Sequence, residues 1–228
     1  MLDKLRRNLR DIGAASTALY LLDRLLAACS GGRARVYRYL LVAQPIAAGL
    51  APLRPDARTR IEPAGPGHAL AAAFPRPAPV IRQRHADGAQ CLVASHDGAF
   101  AGYLWWQRGH YDEDEVRCRF VLGEPAVSVW DFDVYVEPRF RLGRTMARLW
   151  DDAARRWHAD GVRWSFSRIS AFNAASIASH ARMGLQPVGN AVFVVVGPWQ
   201  LGVFGGPPYL HLALSATSRP ELTLRPPA

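Results

Sequence analysis

The sequence predicts an α/β (α+β) fold in which a mixed sheet is covered by helices. Three observations predict it. The order of patterns from residue 89 onward is β-hairpin, strand, helix, strand, short helix, strand. The stretch "QCLVASHDGAFAGYLWWQ" is two β-runs joined by a turn dipeptide, Asp97–Gly98, residues that tolerate positive φ. The chain has 228 residues, half of them hydrophobic, enough for one full core with an N-terminal appendage.

The elements follow in order. Leu5, Leu9, Ile12, Leu19, Leu22 and Leu26 recur at three-to-four spacing, with Lys4, Arg6, Arg7 and Arg10 between them, the pattern of a basic amphipathic helix. It packs on its own domain or lies on an anionic membrane surface. The tetrapeptide "LAAC" at its end resembles a lipoprotein cleavage box, but Asp23 and Arg24 interrupt the apolar stretch such a signal needs. No run of about 20 uncharged apolar residues occurs, so no transmembrane helix is expected. "RARVYRYLLVAQPI" reads as a strand ended by Pro45. A passage rich in Pro, Ala and Gly follows, with a short strand over 58–62 and a weak helix over 68–74. After the hairpin come the acidic "YDEDEVR", the strand "RCRFVL" and the long strand "AVSVWDFDVYVEP". "RLGRTMARLWDDAARRWHADG" is helical, with Leu142, Met146, Leu149, Ala153 and Trp157 on one face and Gly161 as its stop. The strand "VRWSFSRISAF", a short helix from Asn173 to Gly184 and the strand "AVFVVVGPW" complete the pattern. Prolines and glycines cluster at 45–80 and after 197, which predicts linker-like regions there.

The net charge of +9 favours an anionic partner: nucleic acid, a phospholipid surface or a phosphorylated cofactor. An arginine-heavy composition is the blander source of the same charge. Cys29, Cys91 and Cys118 are too far apart for a CxxC-type zinc site and odd in number. A reducing, intracellular setting and no metal follow, with Cys91 and Cys118 buried on strands. Neither HExxH nor GxSxG occurs, which removes the obvious hydrolases.

Three pieces of residues 89–197 carry a family resemblance: "VYVEPRFRLGRTMARLW", "GVRWSFSRIS" and "NAASIASHARMGL". They resemble the strand, pyrophosphate loop, second strand and "N-x-x-A-x-x-x-Y-x-x-x-G-F" helix of the GNAT N-acetyltransferases. Asn173, Ser176, His180 and Gly184 fall at that last spacing. The resemblance implies a GNAT-like mixed, mostly antiparallel central sheet flanked by helices, with an N-terminal helix-strand extension. The expected division is an extension over 1–50, an acyltransferase domain over 51–204 and a C-terminal strand and tail over 205–228.

It also implies acetyl-CoA as co-substrate, held by Tyr135, Val136, Arg139, Arg141, Leu142, Gly143, Arg144, Thr145, Asn173 and Ser176. A strand feeding a helix N-terminus offers unpaired N–H groups to a diphosphate, and Arg139, Arg141 and Arg144 add cations. Counted from Arg141, the family's R-x-x-G-x-G/A pattern has glycines where this chain has Arg144 and Met146, with Gly143 alone between. Either the loop is shifted by one residue or arginine side chains replace bare backbone. Asn173 is a helix cap or a cofactor contact. His180 stands where the family often has the tyrosine that protonates the departing thiolate, a role open to histidine.

Asp131 and Asp133 are two apart, so strand alternation puts both on one face and Trp130 and Phe132 on the other. Neighbouring carboxylates raise each other's pKa, which suits a general base; the alternative is a structural pairing with arginine. Residues 111–115 either recognise a cationic amine or are solvated. The implied activity is direct acyl transfer from the CoA thioester to a primary amine on a small molecule or peptide. The setting is cytoplasmic, with peripheral membrane contact through residues 1–28 as an option and no nucleic acid. A catalytically weak acyl-CoA sensor and a membrane-peripheral interaction protein are the alternatives.

Overall fold

The computed structural model describes residues 2–46, 53, 54 and 56–227, with side chains from residue 9 onward. The expectations for the side chains of Lys4, Leu5, Arg6 and Arg7, and for residues 47–50, lie outside the described residues. The chain runs through α1 (Leu2–Ser30), β1 (Ala34–Pro45), β2 (Thr59–Pro63), a 3-10 turn (Ala69–Ala73), α2 (Ala78–Ala86), β3 (Gln90–His96) and β4 (Ala99–Gln107). Next come β5 (His110–Asp112), β6 (Arg119–Leu122), β7 (Ser128–Val136), a second 3-10 turn (Pro138–Phe140) and α3 (Thr145–Ala159). β8 (Trp164–Ser170), α4 (Ala174–Ala181), β9 (Gln186–Val196), β10 (Trp199–Phe204), β11 (Leu210–Ala213) and β12 (Glu221–Leu224) close the chain. Strand pairing is mostly antiparallel, with helices flanking the strands, as the sequence led one to expect.

The residues group into two compact units, neither continuous in sequence: 1–44 with 110–123 and 166–228, and 45–109 with 124–165. In the first unit β1, β9, β10 and β11 form an antiparallel run. Tyr39, Phe193 and Phe204 pack along one of its faces in tilted and edge-to-face contacts, with 5.8 and 5.5 Å between successive ring centres. A small sheet carries β6 between β5, antiparallel, and β12, parallel. Gln200 fixes the loop before β6, accepting from the Arg117 N–H at 2.8 Å and donating to the Arg117 carbonyl at 2.7 Å. Helix α1 is broken at Gly13, whose φ of 77° belongs to no right-handed helix.

The second unit is an antiparallel run of β7, β4, β3 and β2. β3 and β4 are the predicted hairpin, and Asp97 and Gly98 both have positive φ, 50° and 77°, as a two-residue turn matching strand twist requires. Helix α3 buries Leu149, Trp150, Ala153, Ala154 and Trp157, and each large apolar side chain so covered contributes about 1.5–3 kcal/mol. Gly161, at φ 85°, ends it as expected.

Several features differ from the expectations. Helix α2 occupies a passage read as loop, because proline at a first helical turn costs no hydrogen bond. The region after 197 is no linker: Gly197 turns β9 into β10, and β11 and β12 follow. Leu142 is not on the α3 face. The helix begins at Thr145, and Leu142 stands fully exposed in the preceding turn.

Candidate functional site

The residues picked from the sequence fall into two groups, one in each unit. In the second unit, β7 ends at Val136 and the chain turns through Pro138–Phe140 before α3 starts. The loop is braced by its own side chains. The Arg141 Nε donates to the Val136 carbonyl at 2.9 Å, with its guanidinium 5.8 Å from the Tyr135 ring centre. Arg139 lies 4.7 Å over the Phe140 ring, and the Tyr135 hydroxyl donates to Glu137 at 2.6 Å.

Arg144 occupies the N-cap position of α3 with no side-chain cap bond. The first turn-to-turn bond runs from the Arg148 N–H to the Arg144 carbonyl at 2.9 Å. The N–H groups of Arg144, Thr145, Met146 and Ala147 thus have no acceptor among the described residues. Four bare donors at the positive end of a 15-residue helix, with exposed Arg139, Arg141 and Arg144 around them, attract anions. Gly143 has no left-handed φ; a Cβ there would approach the Phe140 carbonyl at 3.3 Å. The loop is therefore furnished by arginines and a helix end rather than by a run of glycines.

Asp131 and Asp133 are in the same unit but do not share a face, which corrects the expectation from strand alternation. Opposite β7, Trp105 pairs with Asp133 while the next residue, Trp106, pairs with Asp131, so Phe132 is an extra residue in the strand. Trp105 contacts His85 of α2 at 4.9 Å, and Trp106 contacts Trp157 of α3 at 5.6 Å. Cross-strand partners point the same way, so Asp133 faces α2 and Asp131 faces away from it. Asp133 accepts from Arg76 at 2.9 and 3.1 Å, Arg84 at 2.7 Å and the Tyr103 hydroxyl at 3.1 Å. Arg84 also lies over the Trp105 and Phe132 rings at 5.4 and 5.1 Å. Asp131 is buried and accepts from the Ser165 hydroxyl at 2.8 Å.

In the first unit, Asn173, Ser176 and His180 form one hydrogen-bonded group on α4. The Asn173 side chain accepts from the Ser176 N–H at 3.0 Å, an N-cap. The Ser176 carbonyl lies 2.8 Å from His180 Nδ1. A carbonyl oxygen only accepts, so Nδ1 carries the proton, and this bond assigns the tautomer. In that tautomer Nε2 carries the ring's acceptor lone pair. Gly184, at φ 83°, closes the helix turn.

The acidic stretch 111–115 is used inside its own unit, which neither sequence reading anticipated. Glu113 has a fully buried side chain and receives Arg168 at 2.6 and 3.0 Å. Glu115 takes Arg168 at 2.9 Å and the Tyr39 hydroxyl at 2.9 Å, while Asp112 pairs with Arg119 and Arg219. Burial works against the Arg168 charge, yet the Glu113 carboxylate holds its pKa above the ordinary arginine value. This network was illegible in sequence because Arg168 lies 55 residues from Glu113.

Each unit holds a sizeable cavity. One of about 540 Å³ is bordered by Glu113, Arg117, Gln200 and Arg219, and one of about 450 Å³ by His85, Cys91, Trp106 and Trp157. The first is lined by Asp112, Glu113, Asp114 and Glu115 of the acidic stretch, while the residues chosen for catalysis and cofactor binding line neither. Burial pushes the Cys91 thiol well above its usual range, and that of Cys118 likewise, so both are packing groups rather than nucleophiles. No group of three metal-ligating side chains occurs among the described residues.

No protein-family model matches the chain, and no curated protein does. Solved structures match it in part. A tandem GNAT protein from the clavulanic acid biosynthesis pathway is 18% identical with a TM-score of 0.49, over 81% of this chain and 58% of that one. A GNAT-family protein from Novosphingobium aromaticivorans is 20% identical with a TM-score of 0.47, over 71% of this chain and 64% of that one. AAC(6')-Iy, in complex with the bisubstrate analogue CoA-S-monomethyl-acetylneamine, is 21% identical with a TM-score of 0.40, over 56% of this chain and 90% of that one. The chain thus spans less than two thirds of the length of the first two, and at these identities the likeness is one of fold.

Proposed function

We propose that the protein is an acyl-CoA-dependent N-acyltransferase that moves acetyl from acetyl-CoA to a primary amine by direct transfer in a ternary complex. The observation that carries this reading is the start of α3: four N–H donors without acceptors among the described residues, no side-chain cap, and three arginines on the preceding loop. Such an arrangement suits the diphosphate of CoA. The reading assigns Arg139, Arg141, Leu142, Gly143, Arg144 and Thr145 to the diphosphate end, Tyr135, Val136, Asn173 and Ser176 to the pantetheine arm, and His180 to the thiolate.

In the transfer, the amine lone pair attacks the thioester carbonyl carbon, the C–S bond breaks, and the amine gives up a proton. His180, protonated at both nitrogens, gives its Nε2 proton to the leaving thiolate while Nδ1 stays bonded to the Ser176 carbonyl. Asp131, buried beside the Ser165 hydroxyl, is the proton acceptor in this reading. Asp133 is occupied by Arg76, Arg84 and Tyr103 and serves as a structural anion in the same reading. The acceptor amine belongs to a small molecule or peptide, and the setting is cytoplasmic, the compartment of acyl-CoA.

A second reading, an acyl-CoA-binding sensor with weak catalysis, is favoured by one observation: Arg144 and Met146 stand where the resembled family has loop glycines. Titration calorimetry with CoA and acetyl-CoA, on wild type and on Arg141→Ala with Arg144→Ala, tests the shared premise. Micromolar binding abolished by the double substitution supports both readings. An amine screen then separates them, since turnover lost in His180→Phe with CoA binding retained identifies the transferase. A folded wild type that binds neither ligand overturns both.

A further inference from the structure

Helix α1 buries polar side chains and leaves a second apolar stripe exposed. Among the described side chains, Ser16, Thr17 and Asp23 are its buried residues, each under 7% exposed. Asp23 receives Arg35 at 2.8 Å and the Val36 N–H at 2.9 Å, and Ser16 accepts from Arg38 at 3.0 Å. Leu9, Leu21, Leu22 and Leu25 point outward, 43, 49, 41 and 61% exposed, while Ile12, Leu19 and Leu26 are half-buried. A helix on a globular domain turns its apolar stripe to the core, so this outward stripe calls for an apolar neighbour.

The same unit carries a second exposed apolar set. Trp199 pairs with Val196 and Val203 with Leu210, and Leu201 lies opposite Leu212, so these side chains share one face of β9, β10 and β11. Trp199, Leu210 and Leu212 are 59, 61 and 57% exposed. The two sets belong to one unit and are joined at one point of the backbone, where the Gly197 N–H in the β9–β10 turn donates to the carbonyl of Arg33, just past the end of α1. Together they are more than the scattered apolar residues of an ordinary surface.

Charge selects the occupant. Residues 1–33 hold six basic and three acidic residues, and Arg10, Arg24 and Arg33 are exposed beside the leucines. Leucines, an exposed tryptophan and arginines on one surface match the boundary between acyl chains and anionic headgroups. We propose that α1 and the outer face of β9–β11 form one docking surface that seats this unit on an anionic phospholipid bilayer, with α1 lying in the interface. By length and composition Leu9–Ser30 is also sufficient to cross a membrane, which the sequence reading did not expect. Its inward side is nevertheless tied to the unit by Asp23, Ser16 and the Tyr20–Phe172 contact at 5.6 Å. The proposal is independent of the transferase reading.

The test is co-sedimentation of the full chain with phosphatidylcholine vesicles, with and without phosphatidylglycerol. Wild type sediments with the anionic vesicles and is released by salt. Leu21→Ser with Leu25→Ser, and separately Trp199→Ser with Leu212→Ser, each weaken partitioning on the order of tenfold while circular dichroism shows unchanged folding. Three outcomes overturn the proposal: wild type remaining in the supernatant, binding unchanged in both variants, or a dimer in ultracentrifugation that these substitutions dissociate while vesicles stay unbound. The last would assign the surface to a second copy of the chain.

Discussion

Asp133 receives two arginines and a tyrosine hydroxyl in the second unit, with Arg84 itself only 10% exposed at its side chain. Removing the carboxylate takes a hydrogen-bonded counterion away from the buried Arg84 guanidinium. Asp133→Ala should therefore cost about 3–5 kcal/mol in urea unfolding, and Asp133→Asn should recover only part, because it restores shape but not charge. A loss under about 0.5 kcal/mol, typical of a surface substitution, would refute the anchoring role. Asn173 tests a smaller effect. Its cap bond to Ser176 predicts that Asn173→Ala loses about 1 kcal/mol while Asn173→Asp and Asn173→Ser lose less. Equal losses in all three would mean that the cap bond is not what matters there. The cap was legible because an Asn before an Ala/Ser helix is a local signal. The faces of Asp131 and Asp133 were not, since the extra residue at Phe132 is created by pairing with β4 and leaves no mark in the β7 sequence.

Elements show the same division between local and distant causes. The β3–β4 hairpin and the end of α3 were readable because a few adjacent residues set them: Asp97 and Gly98 for the turn, Gly161 for the stop. Nothing lies within 4 Å of a Cβ placed on Gly161, so Gly161→Ala carries only the cost of its φ of 85°, about 1–2 kcal/mol in thermal unfolding. No loss would imply that the backbone relaxes there. Helix α2 was missed because Pro77 caps it and Pro79 stands in its first turn, a pattern that reads as loop although a helix accepts proline at its start.

The fixing of α1 depends on a long-range pair, and that pair has a pH signature. Burial acts to raise the Asp23 pKa, but Arg35 and the Val36 N–H outweigh it and hold the carboxyl below the usual aspartate value. A lowered folded pKa means stabilisation that is complete above the unfolded value and lost as pH falls through the folded one. Asp23→Asn should thus cost about 1–3 kcal/mol at neutral pH, and the gap to wild type should narrow in acid below the ordinary carboxylate range. A gap that stays constant with pH would remove the ion pair as its cause.

For the whole molecule, the +9 charge suggested anionic partners in bulk. The fold divides that charge into two populations. Arg35, Arg76, Arg84, Arg119, Arg168 and Arg219 are engaged in ion pairs within their units, whereas Arg139, Arg141 and Arg144 stand exposed on the loop that leads into α3. Composition reports the sum and hides this division, which is why it pointed to nucleic acid and to a cofactor equally. The second population makes a prediction about stability. A ligand that binds only the native state stabilises it by about 2.7 kcal/mol at a hundred times its dissociation constant, worth roughly 5–10 °C in a chain of this size. With CoA present, scanning calorimetry should show a rise of that order in wild type and none in Arg141→Ala with Arg144→Ala. Where the trace resolves two transitions, two-state arithmetic applies to each separately, and the diphosphate role of the α3 start requires that the transition of residues 45–109 and 124–165 move. A shift confined to the other transition would place the ligand on the unit of His180 and remove the helix end from the site.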